Sequence, residues 1–412
     1  MSSVAPVSRA ALRDGMLTVP LVDISSFRMP YPDEAARAQV VRQVDEAART
    51  VGFMQVTGHG ILPCVAEDLT AAADAFFALD LAAKQRYRCP PGINRGYTTL
   101  KDGLLAGGHG AGGHGTGGHG AAGPAEGFEG ISIGTSIADY PGLDLPEDVY
   151  ARNVYPAEVP DFEGAATAWF RAARAVARTM VRIFGVALGG REDYFERYTD
   201  HSNDVLWIDN YQLPSPVATV DRGQPTGTAH TDHGIVTVLW ADRVPGLEIL
   251  GADGAWHPVL PAGRALLVNL GDALARWTND QWISATHRVV PPRAGGEPVP
   301  RRSAAFFHDG NVDAVIECLP SCVSAQAPAR YEPVTVGEHL AAKRLGALGR
   351  VLGAQAEELH RMVDRGEACR GGYLLGPLLD GTPLDLHALP AGTAGQVVMV
   401  HGGGALPVED LS

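Results

Sequence analysis

The stretch that most constrains this chain is Gly227-Thr228-Ala229-His230-Thr231-Asp232-His233-Gly234, followed at once by Ile235-Val236-Thr237-Val238-Leu239-Trp240. The β-branched run predicts a strand, and Gly227 and Gly234 bound the motif that leads it. Residues i and i+2 of a strand face the same side. His230 and Asp232 are therefore expected to converge on one point, as two ligands of one metal must. A third ligand has to come from elsewhere. The candidate is His287 in Ser284-Ala285-Thr286-His287-Arg288-Val289-Val290, 55 residues beyond Asp232. Two imidazoles and one carboxylate on one face, with open positions opposite, suit a non-haem Fe(II) that binds dioxygen.

Arg301-Arg302-Ser303 follows His287 by 14 residues. By the same rule Arg301 and Ser303 share a strand face. A guanidinium beside a hydroxyl is a good receiver for a carboxylate, through charge-assisted bonds from arginine and one more from serine. Tyr211, on an earlier expected strand, is placed to donate a further bond.

A chain of 412 residues has room for one large domain or two moderate ones, and for an ample core. The formal net charge of −14 disfavours general nucleic-acid binding, which needs a basic surface. Five cysteines are present, Cys64, Cys89, Cys318, Cys322 and Cys369. Their odd number and scatter read as reduced thiols in a cytoplasmic protein. Met1 to Asp14 has no long apolar core, so no signal peptide is expected. No stretch approaches the roughly 20 apolar residues of a membrane span.

Along the chain, residues 1–16 read as a lead-in and Leu17 to Ile24 as a strand. A helix is expected after Pro32, with Asp33 as N-cap, Val40, Val41, Val44, Ala47, Ala48 and Val51 at helical spacing, and Gly52 as terminator. Phe53 to Val56 reads as a strand, 65–79 as a helix, and Asp161 to Leu188 as a long helix with Trp169, Ala173, Val176, Met180 and Phe184 on one stripe. Residues 103–123 repeat histidine among glycines, at His109, His114 and His119. That tract is expected to be a flexible insertion with only adventitious metal affinity. From Val205 to Phe307 short strands alternate with turns, including a hairpin about Asp253-Gly254. The pattern predicts a two-sheet jelly roll. Residues 331–369 are expected to be helical, and 370–412 have no clear period.

In order and spacing, the His230-Thr231-Asp232, His287-Arg288-Val289 and Arg301-Arg302-Ser303 set resembles the isopenicillin N synthase-like family of Fe(II)/2-oxoglutarate oxygenases. Intervening phrases fit as well, among them Val268-Asn269-Leu270-Gly271-Asp272 and Trp277-Thr278-Asn279. So do Gly52-Phe53-Met54-Gln55-Val56-Thr57-Gly58-His59-Gly60 and Arg95-Gly96-Tyr97 in the N-terminal half. The resemblance covers about residues 17–345. It implies a mainly β protein with α elements. A double-stranded β-helix core at 201–330 would be flanked by an N-terminal α/β region at 17–200 and by C-terminal helices.

The resemblance also implies that His230, Asp232 and His287 bind Fe(II). It implies that 2-oxoglutarate chelates the iron, with Arg301, Ser303 and Tyr211 at its distal carboxylate. Dioxygen would then drive oxidation of a small-molecule substrate, hydroxylation by default, with desaturation or ring closure as variants, in specialised-metabolite or antibiotic biosynthesis. Neither a membrane nor a nucleic acid is an expected partner. The sequence departs from the family before the tyrosine, where Arg-x-Asn-x-Tyr-Pro is usual. Here the run is Trp207-Ile208-Asp209-Asn210-Tyr211-Gln212, so Asp209 replaces an amide near the iron.

Two rival readings stay open on the residues alone. An oxidase without 2-oxoglutarate would use Arg301 and Ser303 to hold the substrate's own carboxylate. A non-catalytic β-helix would bind a ligand or partner. A zinc hydrolase leaves the Arg-x-Ser pair unexplained. Among the remaining polar residues, His233, His59 and Arg288 are expected to be structural, His257 a surface residue and Asp272 a turn residue. Tyr97 is a candidate substrate contact on a loop over the mouth.

Overall fold

The computed structural model describes residues 12–13, 16–31, 33–90, 92–99, 128–211, 229–290, 293–294 and 297–347. The Gly/His insertion, the 370–412 tail, most of the lead-in and the C-terminal region after residue 347 lie outside the described residues.

Eight strands form the main sheet, in the order Leu21–Asp23, Phe53–Thr57, Leu266–Leu270, Val236–Ala241, Arg301–His308, Asp204–Tyr211, Phe128–Gly134, Gly96–Thr99. Only the first pair is parallel. A smaller antiparallel sheet, Trp256–Pro258, Leu247–Leu250, His287–Val289, faces it. The His230–His287 bridge ties the segment ahead of the Val236–Ala241 strand to the smaller sheet. This is the jelly roll expected from the strand pattern.

Helices cover the outer face of the main sheet. In Phe162–Ala187 the whole expected stripe is buried. Phe170 meets Phe306 edge-on at 5.1 Å, and Trp169 meets Trp240 at 6.2 Å. The Glu34–Thr50 helix begins as its sequence dictates, with Asp33 Oδ1 accepting from the amides of Ala35 and Ala36. It buries Val40, Val44, Ala47 and Ala48. Gly52 ends it at φ +73°, and a Cβ there would sit 2.4 Å from the Ile283 carbonyl oxygen.

The expected Leu17–Ile24 strand is split into Met16–Leu17 and Leu21–Asp23. Pro20 lies between them and has no amide hydrogen to give to a ladder. Between His287 and Arg301 the chain makes a small hairpin, Arg293–Ala294 against Glu297–Pro298. The C-terminal helix runs Val336–Ala347 within the described residues. No helix among the described residues is long and apolar enough to cross a membrane.

Candidate metal centre and carboxylate receiver

Strand register fixes which side chains share the interior. Ser303 lies opposite Asp209 and Ala241, Ala305 opposite Trp207 and Leu239, and Phe307 opposite Val205 and Thr237. Asn269 lies opposite Thr237 and Phe53. Because side chains alternate across a strand, all of these face inward, toward the smaller sheet.

His230, Asp232 and His287 come together in that interior, their candidate ligand atoms all within 4.8 Å of one another. Asp232 Oδ1 is 3.6 Å from Nε2 of each histidine. Its other oxygen is occupied, accepting from Thr237 Oγ1 at 2.5 Å and Asn269 Nδ2 at 2.6 Å. His287 Nδ1 lies 3.0 Å from the Ala285 carbonyl. A carbonyl only accepts, so that nitrogen carries the proton and Nε2 keeps its lone pair for the centre. Phe53 packs edge-on against the His287 ring at 5.3 Å. Burial would raise the Asp232 carboxyl. The imidazoles of His287 and His230 and the bonds from Thr237 and Asn269 outweigh it and hold the group below the usual carboxylate range. An aimed carboxylate oxygen with two imidazoles fits a divalent metal.

The motif does not reach this geometry as a strand. Among the described motif residues only His230 forms a β-bridge, exchanging backbone bonds of 3.0 and 2.9 Å with His287. The Val236–Ala241 strand begins after the motif. In between, the backbone turns onto the helix Asp272–Trp277. The amide of Asp272 donates to the Asp232 carbonyl at 2.8 Å, and that of Ala273 to the His233 carbonyl at 3.1 Å. Thr231 Oγ1 donates to Asp272 Oδ2 at 2.9 Å. The crossing is close: a Cβ on Gly271 would lie 2.1 Å from the Gly234 carbonyl oxygen.

The C-terminal helix seals this loop from behind. Lys343 Nζ pairs with Asp272 Oδ2 at 2.5 Å, and His339 Nε2 donates to the His233 carbonyl at 3.1 Å. Asp272, expected as a turn residue, is a fully buried ion-pair partner at a helix start.

Arg301 and Ser303 share a face as expected and are both buried. Arg301 Nη1 donates to Ser303 Oγ at 3.2 Å, and the guanidinium stands 5.1 Å over the Tyr211 ring. Arg301 Nε is buried with no hydrogen-bond partner among the described residues. A buried guanidinium with a donor to spare, beside a hydroxyl, fits an incoming carboxylate. Burial, and then the charge of Asp209, push the Tyr211 phenol far above its ordinary value, so it stays a donor. Asp209 is the surprise of this cluster. Ser303 Oγ donates to its Oδ2 at 3.4 Å, and burial pushes its carboxyl up to about 7 against the lowering effect of Arg301 and Ser303.

Several residues stand elsewhere than expected. Tyr97 lies on the strand Gly96–Thr99, not a loop, and its register partner Ile131 puts it on the helix-covered face. There its hydroxyl donates to Glu129, which also pairs with Lys84. It therefore does not face the metal. His257 is buried, not at the surface. It accepts from the Leu17 amide and meets Asp253 through Nε2. Arg288 is structural as expected, paired with Glu248 and 4.0 Å over Trp256. His59 holds its turn, accepting from the Ile61 amide. Phe307 joins Val205, Trp207 and Ala305 in the interior wall, whereas Trp240 borders a cavity of about 520 Å³ on the outer face.

Sequence reasoning missed Thr237, Lys343 and the role of Asn269. A polar residue inside the apolar run Leu266–Leu270 was a readable signal for Asn269. Nothing local marked Lys343.

A family model described as the N-terminal region of non-haem dioxygenases in morphine synthesis matches residues 19–157, and one described as the 2OG-Fe(II) oxygenase superfamily matches residues 209–310. The 2-oxoglutarate-Fe(II) type oxidoreductase hxnY of Emericella nidulans is 34% identical over 77% of this chain and 86% of its own. Validamycin A dioxygenase of Streptomyces hygroscopicus subsp. limoneus is 27% identical over 80% of this chain and 87% of its own. A Neurospora crassa protein crystallised with alpha-KG and thymine superposes with a TM-score of 0.67 at 27% identity, over 82% of this chain and 99% of that one.

Proposed function

The chain belongs to the 2OG-Fe(II) oxygenase family, and from that premise we propose that His230, Asp232 and His287 hold its iron while Arg301, Ser303 and Tyr211 receive the distal carboxylate of 2-oxoglutarate. The protein is an oxidoreductase, a dioxygenase dependent on Fe(II) and 2-oxoglutarate. When bound, those groups and dioxygen supply the oxidation, splitting 2-oxoglutarate to succinate and CO2 as a substrate C–H bond is oxidised. The chain's own residues bind and orient. Thr237 and Asn269 aim Asp232, and Ala285 aims His287. Arg301 and Ser303 fix the far end of the co-substrate, and the wall of Val205, Trp207, Ala305 and Phe307 keeps the interior dry.

The observation that carries this assignment is the shared inner face of the main sheet. It puts Thr237, which grips Asp232, and the Arg301–Ser303 pair on adjacent strands facing one interior. We take the substrate to be a small molecule and the reaction to be hydroxylation in specialised or antibiotic metabolism. Support comes from a relative named for validamycin A and a structural neighbour holding thymine. The test is turnover of candidate substrates by Fe(II)-loaded protein under isotope-labelled dioxygen. One labelled oxygen in the product supports hydroxylation, and loss of two hydrogens without label contradicts it.

A further inference from the structure

Asp209 is a carboxyl group inside a carboxylate receiver. It is 1% exposed, on the inner face of the strand Asp204–Tyr211. Oδ2 accepts from Ser303 Oγ at 3.4 Å. Among the described residues Oδ1 is buried without a hydrogen-bond partner, and it stands over Gly130, where a Cβ would come within 3.1 Å of it. Glycine on the neighbouring strand thus makes the room this carboxyl occupies.

Among the described residues, the charged and titratable groups facing Asp209 are few. Arg301 faces it from the strand Arg301–His308 and Tyr211 from its own strand. From the strand Phe128–Gly134, Gly130 faces it and brings no charge, since Glu129 is turned to the opposite face, bonded to Lys84 and Asn210. Two groups therefore hold Asp209 ionised, the Arg301 charge and the Ser303 hydrogen. They are the same two groups assigned above to the co-substrate.

We propose that binding of 2-oxoglutarate is coupled to uptake of one proton by Asp209, which then donates a hydrogen bond to the incoming carboxylate. This rests on the co-substrate reading given above. The incoming carboxylate takes Ser303 Oγ–H and the Arg301 charge, and Asp209 loses both supports. Two carboxylates sharing one guanidinium in a buried site do not both stay ionised. A proton from bulk water binds Oδ2, the oxygen that faces Ser303 and is left free when the Ser303 hydrogen turns to the co-substrate, and the cluster keeps its net charge: Arg301 positive, co-substrate negative, Asp209 neutral. Without the co-substrate, burial already sets Asp209 near 7, so little more is needed to neutralise it.

The experiment is anaerobic calorimetry of Fe(II)-loaded protein with 2-oxoglutarate, in phosphate and in Tris, from pH 6 to 9. Wild-type protein is expected to take up ~0.9 proton per co-substrate at pH 8, and its Kd to rise about fiftyfold between pH 7 and 9. Asp209→Asn removes the titration and keeps the shape, so its Kd should stay flat and its proton uptake vanish. A wild-type Kd flat with pH and no proton uptake overturns the proposal, and so does the same uptake in Asp209→Asn. If that variant does not fold, the wild-type proton count alone decides. No binding of 2-oxoglutarate at any pH overturns the co-substrate reading itself, a different failure from binding without a proton.

Discussion

Lys343 Nζ lies 2.5 Å from Asp272 Oδ2, and both side chains are buried. The pair joins the C-terminal helix to the metal loop, because Asp272 also receives Thr231 Oγ1–H between the two candidate ligands His230 and Asp232. A helix distant in sequence thereby holds the centre's backbone.

Lys343→Met should destabilise the protein by about 3–5 kcal/mol, since it strands a buried carboxylate. Chemical denaturation measures it. Lys343→Met with Asp272→Asn should recover part of the loss, because the uncompensated charge is then gone. Equal losses in the single and double variants would show that the pair is not what matters.

Asn269→Leu should weaken Fe(II) binding by about 10–100-fold while leaving the circular dichroism spectrum unchanged. The variant removes one of the two donors that aim Asp232. Thr237→Val should act in the same direction. Equilibrium metal titration checks both, and unchanged affinity in both would remove their orienting role.

Acid should expose the Asp204 cluster. Burial raises this carboxyl, but His308, Arg174 and Ser202 outweigh burial and hold it below its ordinary value of about 3.9. A depressed carboxylate contributes stability above its unfolded value and loses it as pH falls through the folded one. Asp204→Asn should therefore be less stable than wild type at neutral pH and show a shallower fall below about pH 4. Denaturation midpoints across pH measure the difference, and identical acid limbs would contradict it.

Much of this architecture is legible in residue order because its signals are local or periodic. The stripe from Trp169 to Phe184, the Asp33 cap and the Asp253-Gly254 turn each specify their element within a few residues. Arg301 and Ser303 share a face because they sit in a strand, as read. The i, i+2 argument for His230 and Asp232 expects side chains that do converge, but by a route other than a strand. The His230 backbone bonds to His287 and the Asp232 carbonyl to the Asp272 amide, rather than both joining a continuous ladder. His257 looked exposed because its partner amide, Leu17, is 240 residues away. Lys343 and Asp272 were unreadable for the same reason: a long-range buried pair has no period. Asp209 was visible as a departure in sequence, but its orphaned oxygen and its nearness to Ser303, on which the proton-uptake proposal rests, were not.

The central claim is that one interior holds both the metal triad and a co-substrate carboxylate. The direct measurement is an anaerobic titration of Fe(II)-loaded protein with 2-oxoglutarate, followed by visible absorption. Protein lacking residues 107–120 is the cleaner sample, because that Gly/His tract is expected from its composition to take up adventitious metal. A charge-transfer band should appear on titration, weaken in Arg301→Ala, and be absent in His230→Ala and Asp232→Ala with the fold retained. Iron bound without any band, or a band of full strength in Asp232→Ala, would contradict the account.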